Sequence, residues 1–233
     1  MIKASLNQVS SRMMIMLFNQ LAVIITIPWL AMQLSPDVFG LLSTSLIIIQ
    51  AGWVLIDWGL MDYVTELWRD GEDKNKKNKL ITNLITSRLI LSGLYLTLIF
   101  CLMVLGLINI PYSYFTPLAL TTIFGAVFPL WFFHVNKRSE DLIRITFFSR
   151  LIFIALVVIF VKTDAHATIY LYLHSVSFMV ITLFAYYKMT VKYFFIWQKF
   201  NFNQSLSHIA KSMGFFLNSL TNTNVHVIWG FAV

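Results

Sequence analysis

Apolar runs of about twenty residues, separated by short polar stretches, alternate along the whole chain. Six are long enough to cross a hydrocarbon core of about 30 Å as helices: Met13–Leu34, Phe39–Tyr63, Arg88–Leu107, Tyr114–Phe133, Ile145–Val161 and Thr168–Tyr187. A seventh, Met213–Val233, is more polar, and the sequence stops inside it. This pattern predicts an all-α integral membrane protein. Residues 1–200 are expected to form a bundle of six transmembrane helices, and residues 201–233 to begin a second bundle. The first run exceeds the roughly 7–15 residues of a signal-peptide core and no small-x-small cleavage site follows it, so it is expected to stay as a membrane helix.

Polar residues inside these runs are few, and their spacing carries information. In the second run Ser43, Gln50 and Asp57 recur every seven residues. At 3.6 residues per turn such positions drift by about 20° per step and form one stripe, which is expected to face away from lipid. If this helix enters near Phe39, Asp57 lies about 27 Å along it, near the far boundary of the hydrocarbon. Arg88 opens the third run at that boundary. Asp57 therefore either points into the bundle and pairs with Arg88 or Arg150, or reaches interfacial water. Asn19, Gln20, His174, Ser175 and Ser177 serve either interhelical hydrogen bonds, which contribute about 0.6–2 kcal/mol each, or substrate contacts. Asn218, Asn222 and His226, at i+4 spacing, would line one face of the seventh helix. Pro28, Pro117 and Pro129 predict kinks.

Composition removes the alternative of a soluble domain. Of the 233 residues, 58% are hydrophobic and 12% charged, with a mean hydropathy of +0.76, whereas soluble domains average about 45–50% apolar and 25% charged. The net charge of +7 does not point to nucleic acid, because the basic residues sit between apolar runs and no basic, aromatic-interleaved module occurs. Their distribution instead predicts orientation. Sixteen of the seventeen Lys and Arg fall before, or in the loops between, alternate runs, so that they share one side, and only Lys162 falls on the other. Basic residues gather on the cytoplasmic side, which predicts a cytoplasmic N-terminus. The outer loops, near Ser35–Val38, Ile108–Ser113 and Lys162–Ala167, leave no room for an outer domain. The run RDGEDKNKKNK, Arg69–Lys79, reads as a solvated, anchoring loop with a basic end that attracts anionic lipid. Cys101, the single cysteine, lies in an apolar run and implies neither disulfide nor metal pair. No phosphate loop, metal-spaced His or Cys cluster or Ser-centred nucleophile motif occurs, so the sequence does not support an enzyme.

Several stretches resemble one family. LFNQLAVIITIPWLAMQLSPDVFGLLS (Leu17–Ser43), LIDWGL (Leu55–Leu60), PLWFFHVNKRSEDLIRITFFSRLIFIALVVIFVK (Pro129–Lys162) and MGFFLNSLTNTNVHVIWGF (Met213–Phe231) resemble, in order, segments of the polysaccharide transporters typified by Wzx O-antigen flippases, in the superfamily that also holds the MATE drug exporters. Ser35, Val135 and Glu66 depart from the family's usual Gly, Gly and basic residue. The resemblance implies the N-terminal half of a two-bundle transporter that moves undecaprenyl-pyrophosphate-linked saccharide to the outer leaflet of a bacterial inner membrane. Alternating access, with coupling to a proton or sodium gradient, goes with that reading. Gln50, Asp57, Arg88, Arg150, Asn218, Asn222 and His226 would then line the substrate path, with Arg88 and Arg150 at the inner mouth either meeting the phosphates or snorkelling to the interface. The expected partners are the lipid-linked oligosaccharide, membrane lipids and other polysaccharide-assembly membrane proteins. Since family members carry two six-helix halves, the chain as given is expected to be inactive alone unless it dimerises or a second chain supplies the rest. The alternatives are a drug or cation exporter, a membrane-embedded glycan polymerase, which the short outer loops oppose, and a non-catalytic membrane subunit.

Overall fold

The computed structural model describes residues 2–68, 73–136 and 138–223, with the side chains of 14–218 among them apart from 16. Every regular element among the described residues is a helix. These are α1 (Ile2–Gln33), α2 (Pro36–Asp57), α3 (Leu60–Leu67), α4 (Lys74–Val104), α5 (Tyr112–Val127), α6 (Leu130–Val135), α7 (Glu140–Phe160), α8 (Ala167–Tyr193) and α9 (Phe202–Thr223), with a 3₁₀ turn, Asp164–His166, ahead of α8. Five stretches are long and apolar enough to cross a membrane: Pro36–Leu67, Lys74–Val104, Tyr112–Val135, Glu140–Phe160 and Asp164–Tyr193. The described side chains of α1 add an apolar length, Leu17–Gln33. Large apolar side chains such as Met32, Ile47, Leu94, Phe148, Ile152 and Leu183 face outward all around the bundle, a surface suited to lipid and not to water. The chain is a multi-pass membrane protein.

Two apolar runs are each split into two helices. After Asp57 the backbone turns left-handed at Trp58 (φ 46°) and Gly59 (φ 68°), which ends α2 and starts α3. The run after Tyr112 breaks at Phe128–Pro129, where proline has no N–H to continue the ladder. Pro28 and Pro117, by contrast, sit inside α1 and α5 without interrupting either helix. Apolar counting starts the third span at Arg88, but α4 starts fourteen residues earlier at Lys74, about 21 Å further along the axis. Its first turn is capped by the Asp73 carboxylate, which accepts from the Asn75 N–H at 3.4 Å. Likewise α9 begins at Phe202, well before Met213, because its first turns are amphipathic and pack on the bundle.

Packing pairs α1 with α7, α7 with α8, and α5 with α2, α4 and α8, while α9 lies on α3 and α4. At the end carrying the short connections, Leu30, Tyr114, Val157, Val161 and Tyr170 form one core cluster. There the Trp29 indole donates to the Val161 carbonyl at 3.1 Å, and the Ser35 N–H to Asp164 at 2.7 Å. At the opposite, basic end Leu60, Val64, Ile81, Leu84, Trp131, Phe133 and Met189 form another.

Candidate functional site

The two interrupted helices create the first polar centre. A helix end leaves its last four carbonyls without intrahelical donors, a cost that lipid does not relieve. In α5 each of the four finds a donor: Phe124 from Thr182 Oγ1 (3.0 Å), Gly125 from the Phe128 N–H (3.3 Å), Ala126 from Arg88 Nη1 (3.2 Å) and Val127 from the Tyr186 hydroxyl (2.8 Å). The other terminal nitrogen of Arg88 donates to Asp57 Oδ1, at the C-terminal end of α2. Of the two partners the spacing allowed for Asp57, the structure selects Arg88. The guanidinium is buried, its side chain 9% exposed, whereas 38% of the Asp57 side chain remains accessible. Helix C-termini carry partial negative charge. Arg88 thus clasps two C-termini and one carboxylate, and its charge is largely spent within the protein.

Arg150 is different. It sits ten residues from either end of α7, at about 15 Å depth. Apolar counting put it beside Arg88 at the inner mouth, but α7 starts at Glu140 and not at Ile145, which moves Arg150 to the middle of the bundle. Its Nε donates to Asn19 of α1 at 2.8 Å and its Nη1 to Ser177 of α8 at 3.1 Å, while the guanidinium lies 4.2 Å from the Phe178 ring centre. Ser149 steadies Ser177 at 2.9 Å. Arg150 is 4% exposed, and among the described residues no carboxylate forms an ion pair with it. Sequence explains why: after Asp73 the only acids are Glu140, Asp141 and Asp164, all at helix ends. A buried cation without a counter-charge among the described residues is costly, which makes Arg150 a candidate functional position. His174, one turn along α8, packs edge-on to Phe178 at 5.1 Å. Asn19 and Ser177, two readings in the sequence, are thus joined across helices by Arg150.

The other sequence-predicted positions do not converge on either centre. Gln50 is half-buried on α2, about 10 Å before Asp57. Asn218 is exposed on α9, and the Asn222 side chain and His226 lie outside the described residues. Among the described residues no group of three or more His, Cys, Asp or Glu is placed to hold a metal.

Sequence reading missed the seam between α4 and α9. Asn83 donates to Gln204 Oε1 (2.9 Å) and accepts from the Asn201 N–H (3.2 Å), Ser87 donates to the Ser205 carbonyl (3.0 Å), and Thr82 accepts from the Gln198 N–H (3.2 Å). The signal was present as Asn78/Thr82 and Asn83/Ser87, two i+4 pairs just before Arg88. Further along, Trp58 stacks on Phe216 at 4.5 Å, and His208 Nδ1 lies 3.3 Å from the Tyr63 hydroxyl. Burial first, and Lys211 second, hold the His208 pKa below its ordinary value.

A family model described as "Polysaccharide biosynthesis protein" matches residues 5–228. No curated protein and no solved structure matches the chain.

Proposed function

This chain belongs to the polysaccharide biosynthesis protein family, the family of Wzx-type polysaccharide transporters, and we propose that it serves to move a lipid-linked saccharide across a bacterial inner membrane. Members of the family are transporters rather than enzymes. The cargo class is a surface-polysaccharide repeat unit carried on undecaprenyl pyrophosphate, with the basic end of the bundle at the cytoplasm. Other polysaccharide-assembly membrane proteins are the partners that would supply and receive it.

The observation that carries this reading is Arg150. A pyrophosphate cannot cross hydrocarbon unless positive charge meets it, and at mid-depth this bundle offers a cation without a carboxylate beside it. Its two described hydrogen bonds use two of the five guanidinium N–H donors. Arg88, already engaged by Asp57 and Ala126, acts as a fastener between helices. The conformation described here is closed over Arg150, so transport requires α1, which supplies Asn19, to swing from α7. Pro28, nine residues beyond Asn19, breaks one rung of the α1 ladder and supplies a place to bend. Rocking of this bundle against a second one, driven by a proton or sodium gradient, would complete alternating access. A cation exporter is the weaker reading, since the bundle centre carries a fixed positive charge and no acid from Lys74 to Ser139.

Complementation of a flippase-deficient strain tests this. Arg150→Gln should reduce surface glycan about tenfold or more at equal membrane abundance, and Arg150→Lys should retain part of it. Wild-type glycan with Arg150→Gln contradicts the assignment.

A further inference from the structure

A separate cavity lies at the basic end, between α3, α4, α6 and α8. It has a volume of about 120 Å³, several water molecules in size. Lys74 and Lys77 of α4 line it together with Trp68, Phe132 and Tyr193. Neither lysine has an ion-pair partner among the described residues. Each lies over an aromatic ring instead, Lys77 at 4.8 Å from Trp68 and Lys74 at 5.1 Å from Phe194. Two described acids at this end are engaged elsewhere. Asp141 is held by Lys192 at 2.7 Å and by the Tyr193 hydroxyl at 2.6 Å, and Asp73 caps the first turn of α4.

The independent mark of a ligand is Asn78. It lines the cavity, is 4% exposed, and its amide Nδ2 has no hydrogen-bond partner among the described residues. A buried donor without an acceptor is costly, and an anion's oxygen in the cavity would relieve it. Depth says which anion is within reach. Asn78 lies about 39 Å from the far end of α4, and Tyr193 about 39 Å from the start of α8. That is beyond a 30 Å hydrocarbon core and within the 40–45 Å that includes the headgroups.

The geometry points to a site for one anionic phosphate group at the basic end, held by Lys74, Lys77 and Asn78 Nδ2 and walled by Trp68, Phe132 and Tyr193. The source is either an anionic lipid headgroup or a soluble phosphate. This site is distinct from Arg150 and acts whether or not the bundle transports a saccharide.

The test is native mass spectrometry of the purified chain in detergent, titrated with short-chain phosphatidylglycerol, phosphatidylcholine and inorganic phosphate. One phosphatidylglycerol should bind about tenfold more tightly than phosphatidylcholine. Lys74→Gln with Lys77→Gln should abolish that preference. So should Asn78→Asp, which keeps the shape and adds a repelling charge. Lys76→Gln with Lys79→Gln, the same charge change at exposed positions of α4 that do not line the cavity, should leave it intact. Inorganic phosphate that binds alone and displaces the lipid identifies a soluble source; failure to displace it identifies the headgroup. The proposal is overturned if the cavity variants bind like wild type, if the Lys76/Lys79 variant loses as much, or if neither phosphatidylglycerol nor phosphate binds preferentially.

Discussion

Gly59→Ala is expected to detach α9 from the bundle. Gly59 sits at φ 68°, a left-handed conformation that costs a residue with a Cβ about 1–2 kcal/mol. An added Cβ would also lie 2.5 Å from the Phe216 amide nitrogen and 2.8 Å from the Ser212 carbonyl oxygen. Both are backbone atoms of α9, which no rotamer change can move aside, so overpacking adds about 1–3 kcal/mol. The Trp58–Phe216 stack depends on the same close approach. The two effects together lower the apparent Tm in detergent by about 4–20 °C at 2–4 °C per kcal/mol. Limited proteolysis of the 194–201 connection should accelerate in parallel. Gly93→Ala is the control: this helical glycine has open space around its missing Cβ, and no loss is expected.

Asp57→Ala should be the second large loss, and greater than the loss from Arg88→Met. Removing Asp57 leaves a guanidinium 9% exposed with the Ala126 carbonyl as its remaining described partner. Breaking a buried pair costs about 3–5 kcal/mol, and the 38% exposure of the Asp57 side chain reduces this to about 2–3 kcal/mol. Arg88→Met leaves Asp57 able to reach water and forfeits mainly the Ala126 bond, about 1–3 kcal/mol. Combining the two substitutions should recover part of the Asp57→Ala loss, since no charge is then left buried. Charge reversal, Asp57→Arg with Arg88→Asp, restores opposite signs but places a carboxylate against the Ala126 carbonyl and two helix C-termini, so its rescue is expected to be incomplete. Thermal melts of the four variants check the order. An Arg88→Met loss exceeding that of Asp57→Ala would show that the helix ends and the Asp57 carboxylate depend on the clasp more than the buried guanidinium depends on Asp57.

Much of this arrangement was legible in the sequence because lipid imposes a simple rule on length and polarity. The apolar runs located five helices long and apolar enough to cross a membrane, and the position of Asp57 along the second run put it at the right level to meet Arg88. What it hid depends on polar atoms meeting across the bundle. The apolar residues flanking Trp58–Gly59 mask a helix break that hydropathy averages over, whereas the break at Phe128–Pro129 was marked in the sequence by Pro129. The lysines of 74–79 read as loop, yet they extend α4 because Asp73 caps it and long side chains tolerate a helix well. That misplacement also concealed the Asn83–Ser87 seam that holds α9. Arg150 read as a cation at the inner mouth, because its depth required the true start of α7, and its partners Asn19 and Ser177 come from helices far apart in the chain. Asn222 and His226 stay a reading of spacing.

Arg150, and not Arg88, is proposed as the phosphate-recognising charge of the transport path. The most direct measurement compares binding of a polyprenyl pyrophosphate with that of the uncharged polyprenol, in a Lys74→Gln/Lys77→Gln background so that the basic-end cavity does not report. A preference for the pyrophosphate is expected that Arg150→Gln abolishes and Arg88→Met leaves in place. An undiminished preference in Arg150→Gln, or one lost only in Arg88→Met, would contradict it.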